Sequence, residues 1–427
     1  METQLSRTMD LISNANQEFD LTNPFHQKSL ISLSEHLLQL NKITIDNHKE
    51  LIRRLNTPLE YQLAVKLLES RRCIENIAQP LNIAVVFAMW GEHNRLLPKT
   101  EQNQNGEDSL IAKISQLEWI TRGTKVNWHL YAVDDGCPHQ SGAIAQQQLE
   151  RCTQATREKV TVLHLEDALP AESGPLVNLK SANDSRKGGA IVYGCHQALA
   201  QKVDAVIYTD ADNSVHLGQV GLLLEKFVEQ GSHVVLGNRK HPDSILVKQE
   251  ERWGIGIKTL RHMQRMIGSE IFEKGIKDTQ AAFKLYSADA LEVILAKPTV
   301  YDFSFDTDWI FAAMEKNLPI VTVPFAFIDS AAESASIVQG PMTTWYVLLD
   351  GLVQAARARG ISHSEEMADV FKSEISSHED LELIIDTLPP ELASAKEQDL
   401  GNPAVMSPQS VRMWLHSAKS MKAQAAM

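Results

Sequence analysis

Leucine and isoleucine recur at helical spacing between about Ser29 and Ile77, as in Leu30-Ile31-Leu33-Leu37-Leu38-Leu40 and Leu63-Val65-Leu67-Leu68, with charges between them. That period predicts two or three amphipathic helices over residues 1–80. Pro80 ends the pattern. The next segment, Asn82 to Met89, is continuously apolar rather than alternating, which is how a strand buried on both faces reads. Short apolar runs then recur at Val126 to Val133, Val160 to Leu165, Ala205 to Tyr208 and Val234 to Leu236. Helix-like segments separate several of them: Ser109 to Ile120, Ile144 to Gln154, Ala190 to Ala200 and Leu217 to Glu229. Alternation of this kind predicts an α/β domain with a mostly parallel sheet covered by helices, over residues 81–336. In such a sheet the loops after the strands carry the chemistry. Beyond residue 336, Met342 to Ala358 and Ser410 to Lys422 look helical. The stretch from Ser376 to Ser407 is polar and broken by Pro389-Pro390 and Pro403, and a helical extension with a loosely ordered, partly disordered tail is expected over 337–427.

Composition narrows the function without naming it. The 427 residues carry 41 basic and 54 acidic side chains, a net charge of −13 that argues against a broad nucleic-acid-binding face. Cys73, Cys137, Cys152 and Cys195 show no metal-ligand spacing and suit a reducing compartment. The N-terminus lacks an apolar signal core and no stretch is long enough to span a bilayer, so a cytoplasmic protein is expected. The leucine-rich N-terminal helices suit packing on an acceptor, a homodimer, or peripheral contact with a membrane surface, with plain packing the default.

Candidate chemistry collects at predicted strand ends. Val206 to Thr209 runs into Asp210-Ala-Asp212-Asn-Ser214, two carboxylates one residue apart that can hold a divalent cation against a diphosphate. In isolation the commoner reading is a polar turn. A second strand ends in Asp134-Asp135-Gly136, where an acid can accept a hydrogen bond from a base or ribose; a turn or helix cap is the plain alternative. After the first strand, Trp90 can stack on a base and Glu92 can hydrogen-bond it. Ser185-Arg186-Lys187-Gly188-Gly189-Ala190 opens a helix, where free N–H groups and positive charge favour phosphate. His93, His139, His216 and His233 show no ligand spacing. Trp253, Trp309 and Trp345 read mainly as packing, with Trp309, like Trp90, retained as a candidate sugar platform.

Taken in order, these motifs resemble glycosyltransferase family 2, of GT-A fold, and within it the polyprenyl- and dolichyl-phosphate glucosyl- and mannosyltransferase branch. The matches run from the Trp90/Glu92 loop through Asp134-Asp135-Gly136-Cys137, Lys187 to Ala190, Asp210 to Asp212 and Gly237-Asn238-Arg239. They end with Asp278-Thr279-Gln280 plus Phe283-Lys284, and Phe305-Asp306-Thr307-Asp308. The resemblance implies Mg²⁺ or Mn²⁺ on Asp210 and Asp212, with Ser214 assisting. It implies a nucleoside on Trp90, Glu92, Asp134 and Asp135, and phosphate contacts from Lys187, Asp210 and Arg239. Asp278, Gln280, Lys284 and Asp306 would line the sugar and acceptor side, and Asp308 would be the base for in-line, inverting attack on a UDP- or GDP-sugar. Where the branch has Asp-Arg-x-x-Gly-Glu-Ser-Lys, this chain has Asp329-Ser330-Ala-Ala-Glu333-Ser334-Ala335-Ser336. Loss of both basic residues shifts the expected acceptor from a lipid phosphate to a soluble, small-molecule or glycan acceptor. Sugar transfer to a lipid phosphate, a nucleotide-sugar-forming nucleotidyltransferase and a non-catalytic nucleotide-binding scaffold are the alternatives. The first strand lacks the Gly-rich loop of a nucleotidyltransferase, and the acids that a scaffold would lack are present.

Overall fold

The structure is a computed structural model that describes residues 2–248, 254–329 and 340–425. Seven strands form the central sheet: β1 (Leu81–Met89), β2 (Val126–Asp134), β3 (Val160–His164), β4 (Ala205–Thr209), β5 (Val234–Gly237), β7 (Phe283–Ser287) and β8 (Ile320–Val323). Their order is β3-β2-β1-β4-β7-β5-β8, parallel except for β7. A small parallel pair, β6 (Ile245–Val247) and β9 (Ala326–Ile328), stands apart from it. This is the expected α/β architecture, a mostly parallel sheet flanked by helices. The antiparallel β7 was not predicted, because its five residues include Lys284 and Ser287, which break the apolar run by which a buried strand is recognised.

Residue alternation sorts each strand between two cores. Ile83, Val85 and Phe87 of β1, with Leu130, Ile207 and Phe283, pack on one face. Ala84 and Val86, with Tyr131, Val206, Tyr208 and Tyr286, pack on the other. The first face is covered by the N-terminal helices α2 (Pro24–Leu38), α3 (Ile45–Arg54) and α4 (Leu59–Glu75), together with α5 (Ser109–Thr121) and α9 (Val220–Gln230). Local chemistry sets their starts: the Asn23 side chain accepts from Phe25 N–H with Pro24 opening α2, and Thr44 and Asn47 form a capping box for α3. Leu30, Leu37, Leu63, Leu67 and Leu68 are fully buried there. Packing within the chain therefore accounts for the leucine spacing, and neither a dimer nor a membrane surface is needed to cover it. Among the described residues no helix is long and apolar enough to cross a membrane.

The second face carries α8 (Gly188–Ala200), α10 (Ile257–Ile267), α12 (Ala288–Leu295), α13 (Phe305–Glu315) and the C-terminal helices α14 (Pro341–Arg359), α15 (Glu365–Glu374) and α18 (Pro408–Ala425). The polar, proline-broken stretch holds short helices at His378–Glu382 and Pro390–Ser394, and it buries Leu381, Ile384, Leu392, Leu400 and Met406 in the same core as Trp309. Sparse apolar residues hid this, since each short helix contributes only one or two. Trp309 itself is fully buried between Phe305 and Tyr286, with ring centroids at 5.2 and 5.1 Å, so it is a core residue and not a sugar platform.

One buried ion pair ties the C-terminal helices to α13. Arg359 Nε donates to Asp308 Oδ1 at 2.6 Å, with 6% and 0% of the two side chains exposed. Removing one partner leaves an uncompensated buried charge. Arg359→Ala should therefore lower unfolding stability by about 3–5 kcal/mol, read as a drop in the urea midpoint.

Candidate active site

The strand order reverses direction between β1 and β4, and the candidate residues lie at the carboxyl ends of those strands and their neighbours, where ligands bind in open α/β sheets. Asp210 and Asp212 follow β4 directly. Lys187 Nζ donates to Asp210 Oδ1 at 2.5 Å and lies 4.8 Å from the centroid of the Phe303 ring. Burial pushes the Asp210 carboxyl upward, but the Lys187 charge and hydrogen bond outweigh it and hold the group below its ordinary range. Arg239 also acts on Asp210 through its charge. Asp212 Oδ1 accepts the Ser214 N–H at 3.0 Å, so Ser214 reaches the site through its backbone amide. Asp212 Oδ2 carries no hydrogen bond among the described residues.

Beneath this loop lies a polar network that the sequence did not single out. Glu107 Oε2 accepts from Asn213 N–H at 2.8 Å, Arg95 bridges Glu92 at 2.9 Å and Glu107 at 3.2 Å, and Lys113 Nζ donates to the Asp212 carbonyl at 2.5 Å. Glu107, Arg95 and Lys113 are buried. Buried charges in ordinary helical or loop context were the available signal, but only contact with the Asp212 loop gives them meaning. They tie the Asp212–Asn213 backbone to the Trp90–Arg95 loop.

The two acids after β2 have different tasks. Asp134 accepts from Cys137 N–H at 2.8 Å and Gly142 N–H at 2.5 Å, one bond on each oxygen. It caps a turn in which Gly136 sits at φ +69°, so each oxygen of the expected nucleotide-binding acid already holds one backbone amide. Asp135 Oδ2 accepts Lys187 N–H at 2.6 Å, while its Oδ1 is buried with no partner among the described residues. Burial pushes its carboxyl up to about 7. Glu92 is likewise raised to about 7 by burial, against the opposing pull of Arg95. Trp90 is half-buried at the end of β1.

The start of α8 differs from expectation. Gly189 N–H donates to the Tyr301 carbonyl at 2.9 Å and Ala190 N–H to Ser185 Oγ at 3.1 Å, so these amides are not open to a phosphate. The positive group offered there is the Lys187 side chain. Lys187 adopts φ +90°, and a Cβ on Gly188 would lie 2.6 Å from the Asp302 carbonyl oxygen.

The residues expected on the sugar side divide in the same way. Asp278 grips Arg239 through a two-pronged pair, Nε to Oδ2 at 2.9 Å and Nη2 to Oδ1 at 2.8 Å, and also accepts its backbone N–H. Burial works against the Asp278 charge, but this grip lowers its carboxyl to about 2. Lys284 is fully buried: its Nζ donates to Asp306 Oδ1 at 2.7 Å and to the Ala281 carbonyl at 2.6 Å, and Tyr208 O–H donates to Asp306 Oδ2 at 2.6 Å. Lys284 and Asp306 are thus internal supports that do not line the sugar side. Gln280 is half-buried, and its amide makes only a 3.4 Å contact to Thr279. Asp308 faces away from this set. It lies two residues from Asp306 on α13, about 200° around the helix, and its carboxylate accepts from Thr299 N–H at 3.0 Å, Thr299 O–H at 2.5 Å and Arg359. With both oxygens engaged and no exposure, it is a structural anchor, and the base role expected of it is not supported. Residues 330–336 and Trp253 lie outside the described residues.

No protein-family model matches the sequence. The chain is 25% identical over 266 residues to a dolichyl-phosphate beta-glucosyltransferase of Dictyostelium discoideum, covering 60% of this chain and 68% of that protein. It is 24% identical over 202 residues to a polyprenol monophosphomannose synthase of Mycolicibacterium smegmatis, covering 47% and 67%. A solved glucosyl-3-phosphoglycerate synthase of Mycobacterium tuberculosis aligns over 70% of this chain and 86% of its own, at TM-score 0.44 and 14% identity. By its sequence relatives the chain is a glycosyltransferase, similar to dolichyl-phosphate glucosyltransferases and polyprenyl-phosphate mannosyltransferases.

Gly188→Ala should force the new methyl against the Asp302 carbonyl and cost about 1–3 kcal/mol, seen as a lowered thermal midpoint. Gly174→Ala, at φ +80° with nothing within 4 Å of the added carbon, reads the cost of backbone strain alone and so separates it from this clash.

Proposed function

We propose that this protein transfers a hexose from a nucleoside-diphosphate donor to an acceptor oxygen that is already anionic, as in a phosphate monoester. The observation that carries the donor half is the convergence of Lys187 and Arg239 on Asp210, one residue pair from Asp212, at the ends of β4 and β5. Trp90, Glu92 and the unpartnered Oδ1 of Asp135 would face the nucleoside, and Lys187 and Arg239 the diphosphate. Asp278 holds the Arg239 fork in place.

The donor set fits a divalent cation of the kind that arrives with its nucleotide. Among the described residues no three His, Cys, Asp or Glu side chains cluster as a resident metal site. Mg²⁺ and similar ions bind nucleotides through one or two carboxylates plus phosphate and water oxygens, and Asp212 with Asp210 supplies that number. Such an ion would neutralise charge gathering on the departing diphosphate. Lys187 then has a second task, since its ammonium balances Asp210 without a ligand and can turn to phosphate with one.

The acceptor half rests on which carboxylates are committed. Asp308 is consumed by Arg359 and Thr299, and Asp306 by Lys284 and Tyr208. A hydroxyl acceptor needs a base within hydrogen-bond reach, whereas a phosphate oxygen attacks C1 with no proton to remove. The names of the relatives, dolichyl-phosphate and polyprenol-phosphate transferases, favour the same reading.

Thermal denaturation against UDP-, GDP- and dTDP-sugars, with Mn²⁺ or with EDTA, tests the donor site, because ligand held only by the folded state raises the midpoint. One nucleotide should stabilise the protein in a metal-dependent way, and Asp212→Ala should abolish the shift. Stabilisation by none of them would count against the proposal. Labelled-sugar transfer to a polyprenyl phosphate, a soluble phosphate monoester and a phosphate-free polyprenol then tests the acceptor, with activity expected on the phosphates alone.

Donor affinity should also depend on pH. Asp135 and Glu92, both raised to about 7, are protonated and uncharged below that point. A carboxylate that accepts a ring or ribose hydrogen gains this capacity as pH rises through 7. Donor affinity should therefore weaken by about tenfold per pH unit below 7 for each group the donor engages when ionised. Asp135→Asn should leave a shallower slope in a calorimetric titration from pH 5.5 to 8.

A further inference from the structure

A cavity of about 440 Å³ opens at the opposite end of the sheet, between the first halves of β1, β2 and β3 and the last turn of α8. From Ile83 to Met89 along β1 the separation from the donor site is roughly 20 Å. Asn82, Asn127, His129, Tyr131, Gln197 and Gln201 border it, and no Asp, Glu, Lys or Arg does. In a chain with 95 charged side chains among 427 residues, that neutral lining favours a neutral occupant over a phosphate, carboxylate or cation.

The lining is rich in uncommitted hydrogen-bonding groups. Gln197 in the last turn of α8 and Gln201, the residue just past its end, make no side-chain hydrogen bond among the described residues, and neither does the Tyr131 hydroxyl. Asn127 Nδ2 donates to Asn82 Oδ1 at 3.1 Å, which leaves the Asn127 carbonyl and the Asn82 amide hydrogens over. His129 Nε2 is engaged with Thr161 Oγ1 at 2.8 Å, which orients its ring. The His129 and Tyr131 rings lie 4.7 Å apart, both on the α8 side of the sheet because they alternate with Trp128 and Leu130. Side-chain amides both donate and accept, so a pair of them matches vicinal hydroxyls, and ring faces cover the C–H surface of a pyranose. The volume lies within the range of small-molecule sites and suits one or two sugar rings.

We propose that this cavity is a second binding site for a neutral saccharide, separate from the donor site and built on Gln197, Gln201 and Tyr131. It uses none of the residues assigned to the nucleotide.

Saturation-transfer NMR on the full chain with methyl glucoside, methyl mannoside, methyl galactoside and maltose tests it. At least one sugar should receive magnetisation, with its affinity unchanged by Asp212→Ala and by saturating UDP with Mn²⁺. Gln197→Leu should weaken binding at least fivefold, with Tyr131→Phe adding a smaller loss. Gln197 is half-buried and carries no side-chain bond, so the leucine variant should keep the parent thermal midpoint. Should Gln197→Leu fold poorly, Gln201→Ala on the exposed end of the same turn takes its place. The proposal is overturned if none of the four sugars binds, if binding survives the cavity variants, or if UDP displaces it.

Discussion

The buried contact among Lys284, Asp306 and Tyr208 is the constraint on which the site depends. An ammonium and a carboxylate enclosed by protein are costly unless each is hydrogen-bonded, and here every partner comes from a different element. Tyr208 belongs to β4, Lys284 to the antiparallel β7 directly opposite it, and Asp306 to the first turn of α13. None of the three elements can slide without stranding a charge. Because Asp210 begins two residues beyond Tyr208, whatever fixes Tyr208 also fixes the loop that presents Asp210 and Asp212.

The acids of the site are held by a second enclosed layer, in which Lys113, Arg95 and Glu107 carry the Asp212 loop and the Trp90 loop as one unit. Charges in the two layers are nearly balanced, and two carboxyls near the candidate ligand are left short of full pairing. Asp135 keeps a buried oxygen with no partner, and Glu92 keeps a carboxyl raised toward neutrality. Burial raises both carboxyls toward neutrality at the strand ends, where a ligand could supply the missing partner.

The terminal helices are layers of the same fold. The N-terminal set closes one face of the sheet, and the C-terminal set closes the other and reaches α13 through Arg359. The pairing that holds Asp308 is also what takes it out of the chemistry. A helix face decides this: Asp306 and Asp308 lie on opposite sides of α13, so one looks toward β4 and the other toward the C-terminal helices.

The parallel sheet, the helices at both ends and the order of the site loops were legible in the sequence, because continuous apolar runs, helical periods and acids placed directly after strands are local signals. Which acid does what was not local. Asp134 and Asp135 are adjacent and chemically alike, yet one spends both oxygens on its own turn, closed by Cys137 and Gly142, while the other meets Lys187, which arrives from a distant segment. Lys284 read as a ligand-facing lysine because its motif does, and only the pairing of β7 with β4 buried it against Asp306. The order of motifs along the chain therefore determined the kind of protein this is, and the tertiary structure alone decided which charges face one another and which face a ligand, since burial and partnership are properties of segments brought together from far apart.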